Sequence, residues 1–380
     1  MQLHVLRAER GFGARNAARD ELVERRLRSF RPNVQPAVRS LARRHSRLAD
    51  LAVTFPALLI ALAVPREGFK PESAIALVIK GVPLAELAQV AEVALWLRKL
   101  APPLFCRAPP KLPDSHDFRR QIVNLLPRTP KVASIWLDAV ANAAAWSDDE
   151  LAIWVARNVL QDPKHNAIWR LRLISLWAWF SARPGTLAHG LIETPWSPVM
   201  QFDAALTAAN AWRAAAELYA DVGDEVIADI WVQPAIVDGY EFVPLRSFAD
   251  LIEEGRAMRN CVPTYGYKLT HNCSRLWSIR KDGQRIATLE LARYGGDPLL
   301  GVSELRSPAN EDAPVEVAWA VRRWLHMQDL AQINTTPRAW DDDSFNRAAW
   351  NALWKPYWVA KRRFPQWLPL APSRHALDLL

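Results

Sequence analysis

The dipeptide Asp282-Gly283, in the middle of SRLWSIRKDGQRIATLELAR at residues 274–293, constrains this chain more than any other feature. Residues on both sides alternate with period two, and Asp-Gly supplies the two positive-φ positions of a type I′ turn, whose twist matches that of paired strands. A helix cannot accommodate this pattern. It predicts an antiparallel hairpin with Trp277 and Ile279 on one face of the first strand. On the return strand Ala287, Leu289 and Leu291 face one way, and Ile286, Thr288 and Glu290 the other.

Neighbouring segments extend the hairpin into an α+β unit. VIADIWVQP (226–234) and YEFVPL (240–245) flank Val237-Asp238-Gly239, which predicts a second hairpin. Ser247 caps a helix from Phe248 to about Arg259, with Leu251, Ile252 and Met258 on its apolar side and Glu253-Glu254 on its wet side. Gly255 weakens that helix but permits close packing. Gly295-Gly296-Asp297-Pro298 turns the chain into a third strand, Leu299 to Arg306. Pro314 opens a helix to about Gln328, with Val317, Val321, Trp324 and Leu325 as its stripe.

Upstream the chain reads as helices. Two meet at Gly81-Val82-Pro83, Gly ending one and Pro starting the next. APPLFCRAPPKLPDS, residues 101–115, carries five prolines and predicts an extended seam. Helical periodicity returns at Lys131–Trp146, Asp148–Leu160, Ala167–Ser181 and Pro198–Ala220, with a Ser147/Glu150 capping box before the second of these. Trp136, Trp154, Trp169, Trp177, Trp179 and Trp212 recur there beside Leu, Ile and Ala, which favours core packing over base stacking. The fold class is α+β, mainly α-helical in its N-terminal region, followed by a small C-terminal antiparallel-sheet-plus-helices domain. The divisions fall at 1–47, an Arg-rich segment; 48–222, a Trp-rich helical domain; 223–334, the α+β domain; and 335–380, a Trp/Pro-rich extension.

Charge is localised. Residues 1–47 hold 12 Arg against 4 acidic residues, so they account for the whole net charge of +8. Such a segment suits a phosphate backbone or an acidic partner, or simply solubilises an amphipathic helix. The three cysteines, Cys106, Cys261 and Cys273, show no metal-ligand spacing, and a reducing cytoplasm fits them. The apolar run Leu48–Val64 contains Asp50 and Pro56 and reads as a buried helix, so no membrane span is expected. No P-loop, GxSxG, HExxH or dinucleotide fingerprint occurs, and neither a metal nor a cofactor is expected.

Leu251, Glu254, Gly255, Met258, Cys261, Val262 and Tyr265, followed by Trp277-Ser278, Ala287-Thr288-Leu289-Glu290-Leu291 and Asn310, resemble the motif of the PcfJ-like proteins of conjugative plasmids, phages and other mobile elements. The resemblance covers about 80 residues. The chain departs from that motif at Asn260, where the family has His, at Glu304, where it has Gln, and at Ser307, where it has Gly. The resemblance implies a bacterial mobile-element setting and a role around DNA transfer or processing, but no particular reaction.

Three functional readings follow. In the preferred one the protein binds nucleic acid or a nucleoprotein partner through Arg25, Arg26, Arg28, Arg43 and Arg44. A basic hairpin adds Arg275, Arg280, Lys281 and Arg285, with Trp277 and Tyr294 interleaved for stacking. In the second, an enzyme site combines Cys261, Glu290, Glu304 and Asn310: the carboxylates as acid and base or as ligands of a divalent cation, the amide as a substrate contact. Plainer roles compete with each. Cys261 follows a helix C-terminus, the wrong pole for an activated nucleophile, and so reads as a buried packing residue. Glu290 fits a solvated or salt-bridged sheet face, and Asn310 fits a turn. The third reading is a scaffold for protein partners. The oligomeric state is left open.

Overall fold

The computed structural model describes residues 19–122, 124–127, 129–159, 168–293, 300–329, 333, 336 and 347–363. The expected turn at 295–298, Tyr294 and the acidic run 341–343 lie outside the described residues. The chain divides into two compact units, one of residues 1–179 and 197–205, the other of 180–196 and 206–380.

The first unit is helical. Residues 19–28 form a helix, and Gln35–Ala42, Ser46–Thr54, Pro56–Ala63, Glu72–Lys80 and Leu84–Val90 follow. Gly81 ends one of these in the left-handed conformation, φ 83°, as the Gly-Val-Pro punctuation predicts. The apolar run 48–64 is two buried helices interrupted at Phe55, because Pro56 cannot donate to the helix before it. Further along, Pro130–Trp146 and Asp149–Asn158 pack together. Here the cap is Asp148, whose carboxylate accepts the Leu151 N–H at 3.0 Å, not Ser147 as the sequence suggests. Trp136 and Trp154 are buried and donate their indole N–H groups to the Ala156 and Met200 carbonyls, which removes the cost of burying that polar handle. Trp169 differs from Trp136, Trp154, Trp177, Trp179 and Trp212 in being 46% exposed. No helix among the described residues is long and apolar enough to cross a membrane.

The second unit carries an antiparallel sheet in the order β1 (Ile236–Val237), β2 (Tyr240–Pro244), β3 (Ser274–Lys281), β4 (Gln284–Arg293), β5 (Leu300–Arg306). Asp282 and Gly283 adopt φ 52° and 77°, and Asp238 and Gly239 adopt 54° and 79°, so both predicted two-residue turns form. The predicted strand 226–234 does not. Trp231 takes φ 66° and Pro234 has no N–H to donate, so the segment is coil and only two residues beyond it pair with β2.

Helices α1 (Phe202–Val222), α2 (Phe248–Met258), α3 (Gly266–Thr270) and α4 (Val315–His326) contribute to the packing on the two faces of the sheet, and α5 (Arg347–Lys361) follows later in the chain. On the first face Trp277, Ile279, Ala287, Leu289 and Leu291 pack with Val317, Ala320, Val321 and Trp324 of α4. Trp324 stacks on Phe242 at 4.3 Å and meets Trp277 edge-on at 4.8 Å. On the second face Leu276 packs with Leu251, Val262 and Leu269. Ser247 and Asp250 close the capping box at the start of α2, which fixes where that helix enters.

The junction of α1 with α3 holds a largely buried carboxyl, that of Asp221. A Cβ on Gly266 would lie 2.5 Å from the Asp221 carboxylate, so glycine is required there. Burial, and after it the neighbouring Glu217, push the Asp221 carboxyl up to about 7, although it accepts the Tyr267 backbone N–H. A carboxyl whose folded pKa exceeds its unfolded value binds its proton more tightly when folded. Its stabilisation is therefore complete below about pH 4 and is lost as pH rises through about 7. Asp221→Asn should flatten that dependence and raise stability at pH 8 by about 2 kcal/mol, after allowance for the partial exposure of the group. Urea titrations between pH 5 and 8 check this, and parallel pH profiles for the two proteins would rule it out.

Candidate functional site

Helix α2 brings the chain to the second face of the sheet. It stops where Arg259 takes φ 51° and ψ 49° and donates its N–H to the Gly255 carbonyl. A side chain at Gly255 would collide with Pro263, its Cβ 2.5 Å from the ring Cδ, so the chain can turn this tightly only with glycine. The turn leaves Asn260 against β4: its Oδ1 accepts the Val262 N–H at 3.2 Å, and its Nδ2 donates to Thr288 Oγ1 at 3.0 Å.

Thr288 in turn donates to Glu254 Oε1 at 2.8 Å, and Arg285 Nε donates to Oε2 at 2.9 Å. Glu254 is fully buried, a correction to its expected place on a wet helix side. Both of its oxygens are satisfied by β4, the condition under which a carboxylate can be buried at all. The same pairing, together with Glu253 Oε1 at 2.7 Å, takes Arg285 out of the expected basic platform.

Glu290 and Glu304 are direct cross-strand partners on β4 and β5, an arrangement that is repulsive by itself. Three donors hold it. The Tyr265 hydroxyl lies 3.0 Å from Glu304 Oε2 and 3.4 Å from Glu290 Oε2. Lys268 Nζ reaches Glu290 Oε1 at 3.0 Å, and Arg306 Nε reaches Glu304 Oε1 at 3.3 Å. Burial, and then the charges of the two glutamates, push the Tyr265 phenol far above its ordinary value, so it remains a proton donor at neutral pH. In β5 Ser303 is the extra residue of a bulge, since Glu290 pairs with Glu304 and Leu291 with Val302. The Glu290 side chain is 5% exposed and that of Glu304 39%, so one carboxylate is internal and the other reaches solvent.

Cys261, Glu290, Glu304 and Asn310 all line one pocket, with Asn260, Tyr265, Thr288 and Arg306 among its other walls. Its free interior is ≈ 20 Å³, room for about one water. Cys261 is exposed and is not the buried packing residue expected. The left-handed turn at Arg259 swings it outward, and Val262 takes the buried place instead. Asn310 is exposed at φ 60° in the short 3-10 turn Pro308–Asn310.

The basic hairpin is largely internal. Arg275 is 6% exposed, donates to the carbonyls of Asp229 and Ser274 at 2.5 and 2.7 Å, and lies over the Trp231 ring at 4.6 Å. It fastens the coil before β1 to the end of α3. Trp277 is completely buried and has no face to offer a base. Arg280 is half-buried against Ser278, whereas Lys281 is exposed. In the helical unit Arg25 and Arg28 pair with Glu21 and Glu24 one turn earlier, and Arg26, Arg43 and Arg44 are exposed.

Sequence reasoning left Tyr265, Glu254, Asn260 and Thr288 without a functional role. Tyr265 carried one signal: it stands four residues after Cys261 and three before Lys268, a spacing that puts all three on one side of a helical turn.

No curated protein and no solved structure matches the chain. A family model does match residues 231–296, the segment that contains Cys261, Tyr265 and Glu290 and ends before Glu304 and Asn310. That model is described as PcfJ-like protein, so over those residues the chain is similar to the family that the motif led one to expect.

Proposed function

We propose that the PcfJ-like segment and the strand after it form an acid–base site that acts on a hydroxyl or amino group of a larger substrate. The observation that carries this reading is the opposition of Glu290 and Glu304. Two glutamates facing each other across strands break a local rule of sheet construction, and such breaks concentrate at functional sites. The pair is an acceptor site that one hydroxyl, from Tyr265, already occupies, so a ligand O–H or N–H meets the same chemistry. Because the free interior holds about one water, only the tip of a substrate enters, and its body rests on Cys261 and Asn310 at the mouth. Glu304, the more accessible carboxylate, exchanges the proton; Glu290 and Tyr265 set its position.

The test is saturation-transfer NMR of the full chain with spermidine, arginine, free ribose and the four ribonucleosides as probes. Hits that Glu304→Gln abolishes and Arg26→Gln leaves intact support the site. If no probe binds, or every hit survives Glu304→Gln, the reading fails.

A second reading, contact with a nucleic-acid backbone, is favoured by the exposed Arg26, Arg43 and Arg44 with Arg25 and Arg28 beside them. Replacing all five with Gln should weaken binding of any sequence alike and flatten its salt dependence. Affinity that is insensitive to both would remove this reading.

A further inference from the structure

We propose that a second cavity of this unit, on the other side of the sheet from the carboxylate pair, stacks the bases of single-stranded nucleic acid. Helix α4 turns Val317, Ala320, Val321 and Trp324 inward, yet its outward side carries Trp319, 51% exposed. An aromatic of that size on the wet side of a helix forgoes the free energy its burial would provide. Trp319, Glu316 and Arg323 form one wall of a cavity of ≈ 540 Å³, within the range of ligand pockets. The other wall is Asp238 of the turn after β1, Tyr240 at the start of β2 and Lys281 at the end of β3.

The cavity is braced, and its lining holds two acids, Asp238 and Glu316, and two bases, Lys281 and Arg323. Arg323 Nε donates to Asp238 Oδ2 at 2.5 Å, which ties α4 to the first turn and neutralises that acid. Lys281 Nζ lies 5.1 Å from the centre of the Tyr240 ring, and Arg322 Cζ 5.8 Å from that of Trp319. Lys281 and Arg322 are exposed, and among the described residues neither makes an ion pair, so each ring has a cation over one face and a base would stack on the other. An aromatic face with an adjacent cation is the unit that single-strand binders repeat: the base stacks, and the cation meets the phosphate. Glu316 is the remaining acid of the lining, and a carboxylate there would accept from the exocyclic amine of a cytosine. The expected basic hairpin thus contributes one cation, Lys281, and the aromatic partners come from α4 and β2 instead of Trp277.

This inference is independent of the carboxylate site, since none of its residues lines that pocket. Fluorescence anisotropy of the full chain with a labelled oligodeoxycytidine of about 15 nucleotides tests it, with the RNA counterpart and a duplex of equal length as parallel arms. Expected are tighter binding of single strands than of duplex, a loss of about tenfold for Trp319→Ala, and recovery in Trp319→Phe. Lys281→Gln should lower the salt slope by about one. Trp319 is exposed, so its alanine variant should keep the wild-type circular dichroism. A thymidine oligomer that binds as tightly as the cytidine one removes the role of Glu316 only if Glu316→Gln is also silent. Wild-type affinity in Trp319→Ala and Tyr240→Ala overturns the proposal, as does duplex binding equal to single-strand binding. If binding disappears only when the five arginines of residues 25–44 are replaced, the cavity reading fails and the backbone-contact reading survives.

Discussion

Trp277→Ala is expected to cost the sheet unit about 3–5 kcal/mol, because the indole is completely buried against Trp324, Ile279 and Leu289 and its removal leaves a cavity the neighbouring rings cannot fill. Hydrogen exchange at the β3 and β4 amides, followed against urea, reads this unit apart from the helical one. The outcome also decides what Trp277 does. As a stacking residue on a basic hairpin, its loss would weaken nucleic-acid binding and leave stability within a few tenths of a kcal/mol. Protection lost by several kcal/mol assigns it to the core; protection unchanged would mean that the packing of Trp277 on Trp324 is wrong.

The second large effect concerns Glu254. Arg285→Leu leaves that fully buried carboxylate with Thr288 and no cation, and is expected to cost about 3–5 kcal/mol. Replacing both partners removes the stranded charge, so Glu254→Leu/Arg285→Leu should be less damaging than Arg285→Leu alone. Urea unfolding of the three variants gives the comparison. A single variant no worse than the double would show that Glu254 is solvated after all. Because Thr288 also accepts from Asn260, Arg285→Leu should loosen the turn that carries Cys261, and faster exchange at the Val262 amide would report it.

The two predictions separate what periodicity can read from what it cannot. Trp277 and Ile279 were legible as one face of β3, and Ala287, Leu289 and Leu291 as one face of β4, since alternation in a strand is set by covalent geometry and needs no partner; that the two faces coincide rests on the register shift between Ile279 and Arg280. So were both two-residue turns, the capped helix α2 and the helix opened by Pro314, each marked by residues whose backbone preferences are local. The failures have a common cause. Residues 226–234 contain strand formers, but whether a strand forms there depends on a neighbour to pair with and on the conformation of Trp231. Glu254, Arg275 and Arg285 look like surface charges in the sequence and are internal only because specific carbonyls, hydroxyls and carboxylates meet them.

The site divides in the same way. Glu290 could be placed on the polar face of its strand, and Glu304 on the strand next to it, from alternation and connectivity. Their exact opposition required the register of β4 on β5, and that register includes a bulge at Ser303 which no local pattern announces. Cys261 could be placed after a helix end, but its exposure depended on the left-handed turn at Arg259, a conformation arginine rarely adopts.

By itself the sequence determined the two-residue turns, the capped helices and the α+β class, because each rests on short-range backbone geometry and on the apolar period, while its motif residues carried the resemblance to PcfJ-like proteins. Only the tertiary structure decided which charges are buried, where Cys261 points, and that Tyr265 bridges two opposed glutamates. Those properties belong to pairs of residues distant along the chain, and burial and electrostatics act through space.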